Sequence, residues 1–453
     1  MKPTKFIAGL AVFSFTASAY ADVQVDVTGA TAFRAATLLA IKAKYVASGA
    51  AFKFAHDQAT AGGTTFSGAT RAIFIGTFQG VSGVTTIRCC FTGSVEGIRA
   101  LVPVTDPLPP TYYQPSLLSS TTAIINGAEL ANQGTTGTLT DPSEIAFSDV
   151  AKASTPYSSF PLQPSSPAAG VVVFTMLTNE GSQVSNVTSQ QFRALMGGYQ
   201  PLSIFTGDEN DNLNDPAGNG SNANASWVFG TGRNDGSGTR GVYLAETGFG
   251  VSKSVKQYVT TVSSASALST IQLVPVNGGS TPANASTVWG LSVDGNGGYN
   301  SGSTLRNDMG KTGAAVTVLE ANGSNTFGAG TVRADLVTFL SLNDAITARD
   351  NGAKFCAFNG VKLDGIAAFD GVGVGTAELT AMSAADKAKV TEGVYTAWSF
   401  ENMYRRNDLT DASDSGKVYA GIKSSIQSNL GAAGIPIAEM NVGRPSDGGT
   451  VAP

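Results

Sequence analysis

Residues 233 to 239 read Arg-Asn-Asp-Gly-Ser-Gly-Thr, which puts a guanidinium, a carboxylate, two hydroxyls and two glycines within seven positions. The apolar stretch that follows, Val242 to Phe249, is expected to be helical. If Gly236 to Thr239 turn into that helix, the unsatisfied N–H groups of its first turn point at one spot, where the helix dipole favours negative charge. Gly236 and Gly238 let a ligand approach the backbone because no Cβ intervenes. Ser237 and Thr239 add hydroxyl donors, and Arg233 offers a planar fork to two oxygens, each charge-assisted hydrogen bond contributing roughly 1.5 to 3 kcal/mol. Asp235 is expected to hold the arginine. The chemistry is capture of a small tetrahedral oxyanion. The alternative from the same residues is an N-capped glycine turn with a surface ion pair.

The heptapeptide resembles the Arg-x-Asp-Gly-Ser-Gly-Thr motif of the phosphate-binding proteins that serve ABC transporters, members of the type II periplasmic-binding-protein fold. Three more segments resemble that family in the same order. Val27-Thr28-Gly29-Ala30-Thr31-Ala32-Phe33 is similar to its first strand and Gly-Ala-Thr/Ser-Phe turn, which gives phosphate a hydroxyl and backbone N–H groups. Because Ala32 intervenes before Phe33, either the Thr31 hydroxyl or the backbone at Ala32 is the implied donor. Phe91 to Ile98 resembles the second turn, where a serine at a helix start, here Ser94, binds the anion. Glu144 to Asp149 is similar to the strand ending in Ser-Asp, whose aspartate accepts the proton of a protonated phosphate; the stretch between Ser94 and Asp149 is far longer than the family norm. Val171 to Phe174 looks like the strand entering the second lobe. Phe192 to Gly197 and Leu213-Asn214-Asp215-Pro216 resemble two later landmarks, with Leu213 in place of tryptophan, and Gly295 to Gly302 resembles the glycine-rich segment before a lobe-two helix. The resemblance spans residues 22 to about 345.

It implies an α/β chain with the two-lobed type II periplasmic-binding-protein fold and a ligand cleft between lobes. Lobe one is expected to be discontinuous, residues 22–168 and 343–453, with lobe two at 169–342 and hinge crossings near Ala168 to Val173 and Thr331 to Leu342. Alternation of β-rich and helical stretches agrees with an α/β fold. Strands are expected at Val23 to Val27, Ala72 to Ile75, Thr85 to Phe91, Ile145 to Phe147, Val171 to Met176, Ser226 to Phe229, Ile271 to Val276 and Leu336 to Leu342. Helices are expected at Ala32 to Ser48, Ser94 to Leu101, Ser189 to Met196, Thr239 to Thr247, Ala384 to Met403 and Lys417 to Leu430, with Ser383 as an N-cap.

Met1 to Ala21 reads as a secretory leader, with Lys2, Lys5, an apolar run from Phe6 to Phe15, and Ala19-Tyr20-Ala21 before Asp22. That places the protein in the periplasm or outside the cell, with no membrane anchor expected. A net charge of −5 argues against nucleic acid and anionic membranes as partners. It leaves a local anion site possible, since one arginine and several N–H dipoles suffice. Charged residues are 13% where about 25% is usual, so the surface must be largely Ser, Thr, Asn and Gly. Cys89, Cys90 and Cys356 make an odd count, read either as small buried hydrophobes or as one pair with a leftover thiol. A single histidine, His56, expected at the surface or in packing, leaves little room for a Ser-His-Asp triad or a zinc site, and no Gly-x-Ser-x-Gly elbow occurs. Gly310-Lys311-Thr312 lacks the leading glycine of a phosphate-binding loop, Leu305 standing in its place, and the acidic run Asp208 to Asp215 lacks the sixth-position glycine of a calcium loop.

The expectation is therefore a monomeric, non-enzymatic binding protein without cofactor or metal. It takes inorganic phosphate or a related oxyanion through Thr31, Ala32, Phe33, Ser94, Asp149, Arg233, Asp235, Ser237, Gly238 and Thr239, and an ABC transporter permease is the implied partner. Asp149 would select a protonated anion by repelling a fully ionised one. The alternative is an extracellular structural or adhesive protein that keeps the fold without ligand transport, and a secreted hydrolase is a third reading.

Overall fold

The computed structural model describes residues 23–46, 51–101, 110–118, 127–164, 167–212, 226–276, 283–284, 292–328, 330–365, 382–428 and 434–453. The leader at 1–21 and the Leu213 to Pro216 landmark lie outside the described residues. No helix among the described residues is long and apolar enough to cross a membrane.

The molecule is built on one mixed sheet. Strand β1 (Val23–Gly29) alternates valines with Gln24 and Asp26. Valines 25 and 27 enter the core, while Asp26 faces Arg88 of the neighbouring strand and binds it through both oxygens. Helix α1 (Arg34–Ala43) leads to β2 (Lys53–His56) and β3 (Arg71–Phe78), then β4 (Thr85–Cys90) and helix α2 (Ser94–Ala100). Strands β5 (Ala128–Leu130) and β6 (Ile145–Ser148) complete a first group. Within it β1 runs parallel to both β4 and β6, so the three carboxyl ends share one edge.

Strand β7 (Gly170–Thr178) belongs to both halves of the molecule. A second group comprises helix α3 (Ser189–Gly197), β8 (Gln200–Pro201), β9 (Ser226–Gly230), helix α4 (Gly238–Glu246), helix α5 (Gly302–Met309), β10 (Arg333–Ser341), helix α6 (Leu342–Asp350) and β11 (Lys354–Phe355). Helix α7 (Ala384–Thr391), β12 (Trp398–Arg406) and helix α8 (Asp414–Ser428) follow. The spatial order is β8-β9-β10-β7-β12-β6-β1-β4-β3-β2-β5. The first four residues of β7 pair with β12, and Phe174 onward pairs with β10, so this strand joins the two groups.

Strand β12 also spans the junction, pairing with β7 on one edge and with β6 on the other. Strand β10 does reach the junction, with Ser341 opposite Phe174. Helix α6 then folds back onto β7 and β10, and β11 adds to β7, which keeps residues up to Phe355 with the second group. The single helix expected from Ala384 to Met403 stops at Thr391. Gly393 turns the chain at φ 76°, and the β-branched and aromatic residues Val394, Tyr395, Thr396, Trp398 and Phe400 suit extended backbone. With ladders on both edges and mostly buried residues, β12 lacks the clean alternation that marks a half-exposed strand.

The three cysteines are free and buried, as small hydrophobes. His56 is fully buried, 2.8 Å from Glu129, rather than at the surface. Gly97 lets α2 lie against the end of β1: a Cβ there would come within 2.6 Å of the Gly29 Cα. Gly97→Ala should therefore lower the unfolding free energy by about 1 to 3 kcal/mol, seen as a lower urea midpoint at unchanged m-value; an unchanged midpoint would show that α2 can shift freely.

Candidate anion-binding site

The carboxyl ends of β1, β4 and β6 are laced together by backbone bonds. Ala30 N–H donates to the Phe147 carbonyl at 2.8 Å, and Gly93 N–H to the Gly29 carbonyl at 3.0 Å. Ligands of open α/β sheets gather at such edges, because each strand there turns into a loop or a helix start. The turn after β1 carries Thr31 and delivers Ala32 and Phe33 into the core, where Phe33 stacks on Phe147 with centroids 6.1 Å apart. The turn after β4 opens at Gly93, in a conformation (φ 137°) that side chains avoid, and places Ser94 as the first residue of α2.

Asp149 follows β6. Its carboxylate accepts a short hydrogen bond from the Ser94 hydroxyl, and its carbonyl accepts one from Ser399 of β12 at 2.6 Å. At 1% exposure, burial pushes this carboxyl up to about 6, although the Ser94 bond and the Arg233 charge pull it down. Beneath it Glu401 is fully buried, and neither carboxylate oxygen has a hydrogen-bond partner among the described residues. Burial holds Glu401 well above the usual carboxylate range, with the charge of Asp149 adding to the shift.

From the second group, β9 leads into Arg233, which is 1% exposed. Its guanidinium donates through Nε to the Tyr299 carbonyl (3.1 Å), through Nη2 to the Asn300 carbonyl (2.8 Å) and through Nη1 to the Thr31 hydroxyl of the first group (3.2 Å). Burial lowers its proton affinity, while the charges of Asp344, Asp149 and Glu96 offset that and Arg34 opposes them. Backbone carbonyls of the Gly295 to Gly302 segment hold the arginine, and the charge of buried Asp235 also bears on Arg240. Arg240 is itself fixed on Asn296 at 2.5 and 2.8 Å.

The heptapeptide closes the arrangement. Ser237 is the N-cap residue of α4, yet its hydroxyl makes no capping bond, so the N-capped-turn alternative does not account for it. Ser237 and Thr239 are both buried. Gly238 starts α4 directly against the first group: a Cβ would overlap the Asp149 Oδ1 and come within 2.5 Å of the Ser94 Oγ. The Gly236 carbonyl accepts from Val95 and Glu96 at 3.1 and 3.3 Å. The fold thus brings Thr31, Ser94, Asp149, Arg233 and Gly238 together from four separate segments, with Ser237 and Thr239 flanking. Donors and one carboxyl group converge in a desolvated spot where each charged contact is strengthened.

The carbonyls of Tyr299 and Asn300, the neighbouring charges of Arg34, Glu96 and Asp344, and Glu401 escaped sequence reasoning. For the carbonyls the only signal was the glycine-rich run, since backbone carbonyl acceptors leave no residue-type signature. Glu401 had one overlooked mark, a lone acid in the apolar and aromatic stretch Trp398 to Tyr404.

No protein-family model matches the chain, and no curated protein matches it. Among solved structures it is similar to a protein from Clostridium perfringens described as a phosphate ABC transporter substrate-binding protein with bound phosphate. That match has 11% identity over 91% of this chain and 99% of that one, with a TM-score of 0.39. An ABC-type phosphate transport receptor from Vibrio cholerae matches at 13% identity over 90% and 96%, with a TM-score of 0.37.

The Asp149 environment has a pH consequence. Its folded value of about 6 lies above the ordinary 3.8, so its contribution to stability is complete below pH 3.8 and is lost as pH rises through 6. Asp149→Asn removes that loss. Relative to the parent, the variant should gain up to about 3 kcal/mol between pH 4 and 7.5 in urea titrations; parallel pH profiles for the two proteins would refute the assigned environment.

Proposed function

We propose that this chain is an exported solute-binding protein that captures phosphate or a similar tetrahedral oxyanion between two lobes and hands it to an ABC-type permease. The observation that carries the reading is the bond from Arg233 to Thr31 across the cleft, made beside the Ser94–Asp149 pair. Two lobes contribute donors to one buried point, which is what sequestration of a small anion from water requires. In this reading Arg233, Thr31, Ser94, Ser237, Thr239 and the first-turn N–H groups of α4 donate to the ligand, and Ala32 contributes backbone. Phe33 anchors the turn. The Asp149 carboxylate accepts a hydrogen bond from the hydroxyl of the anion, so a protonated phosphate is held and fully ionised sulfate is repelled. The protein acts as a monomer, without catalysis, in the periplasm or outside the cell. Lobe movement centres on β7 and β12.

One observation favours a second reading, a structural protein that keeps the fold without a ligand. The Val95 and Glu96 N–H groups donate to the Gly236 carbonyl, so part of the α2 terminus is satisfied by protein. Calorimetry on the mature protein separates the two: phosphate should bind stoichiometrically at micromolar or tighter affinity, and absence of heat with phosphate, arsenate and sulfate would establish the second. Arg233→Ala should abolish binding in a protein that still folds. Asp149→Asn should let sulfate compete within about tenfold of phosphate; continued exclusion of sulfate would remove Asp149 from selection.

A further inference from the structure

Residues 441 to 452 fold into a loop that touches both lobes. Gly443 and Ala452 close it with paired backbone bonds of 2.7 and 3.0 Å. At its base Arg444, nearly buried, reaches three ways. It pairs with Glu246, the last residue of α4, at 2.7 Å, donates to the Thr396 carbonyl at 2.6 Å, and lies over the Trp398 ring at 4.1 Å. Asp447 accepts from the Ala151 N–H at 2.8 Å, two residues beyond Asp149. Gly448 sits so close to α4 that a Cβ would overlap the Ala245 carbonyl. One short loop therefore grips the far end of the helix whose near end carries Gly238 and Thr239, and fixes it to the exit of β6 and the entry of β12.

We infer that this loop is a clasp across the lobes and that Arg444 is a positioning residue for the anion site, acting through α4. The inference rests on the reading of the cleft as a binding site. A lobe-two movement that withdraws Gly238 from Asp149 must also pull Glu246 and Ala245 out of the clasp. Breaking a desolvated pair leaves an uncompensated charge on each side, so the clasp favours the closed arrangement even in empty protein. A ligand then meets a site already assembled and leaves it slowly.

The test uses the full mature protein with inorganic phosphate as probe, small-angle X-ray scattering without phosphate, and stopped-flow release rates with it. Arg444→Ala should expand the phosphate-free protein and raise the release rate roughly tenfold. Asp447→Asn should shift both in the same direction by less. The charge swap Glu246→Arg with Arg444→Glu should recover compactness and slow release relative to Arg444→Ala, which a merely folded-state defect would not do. Unchanged scattering and release in Arg444→Ala and Asp447→Asn would overturn the clasp, as would a swap no better than the single variant. If Arg444→Ala fails to fold, Asp447→Asn and the swap decide. Should the parent protein bind no phosphate, the proposed function falls, while scattering still judges the clasp.

Discussion

A guanidinium withdrawn from water must be satisfied on all its edges, and the placement of Arg233 organises much of the surrounding structure. Two of its edges go to the Tyr299 and Asn300 carbonyls, which fixes the glycine-rich segment against β9, and a third reaches Thr31 in the other half of the molecule. Gln257 in turn holds the Arg233 carbonyl at 3.1 Å and the Gly297 carbonyl at 2.7 Å. Burial lowers the proton affinity of this arginine, and the charges of Asp344, Asp149 and Glu96 offset that.

Glycines make that approach possible at three points. Gly29 admits the Phe147 carbonyl, Gly93 faces Gly236, and Gly238 faces Asp149. Each is a place where a methyl group would separate segments that the site requires in contact. Opposite them the sheet supplies rigidity: β7 and β12 run through both groups of strands, so the lobes share a continuous hydrogen-bonded floor rather than a loose linker. On that floor lie two buried acids, Asp149 and Glu401, neither comfortable when ionised. Close packing of like charges makes the protonation state of the floor part of the site's character.

Much of this was legible beforehand where one short segment carries both chemistry and geometry. The heptapeptide combines its donors with the glycines that bend it, and α4 begins within a residue of expectation. Strands β1, β4 and β10 were marked by β-branched residues, and β6 by the short apolar run Ile145 to Phe147. Strand β12 was not, because Trp398 to Arg406 takes its conformation from partners on both edges and buries polar residues beside apolar ones. Two partners of Arg233 were hidden for a related reason: the carbonyls that accept from its Nε and Nη2 lie 66 and 67 positions away.

Residue types therefore determined which groups are present and which turns can bend close to other segments: Arg233, Ser237 and Gly238 in one run, Thr31, Ser94 and Asp149 in three others. Tertiary structure decided the rest. It chose which donor faces which acceptor, desolvated Asp149 far enough to move its proton affinity, set Glu401 beneath it, and brought Arg444 onto Glu246 from 198 positions away. Those outcomes depend on burial and on contacts between segments distant in sequence, and neither is a property of any local stretch of chain.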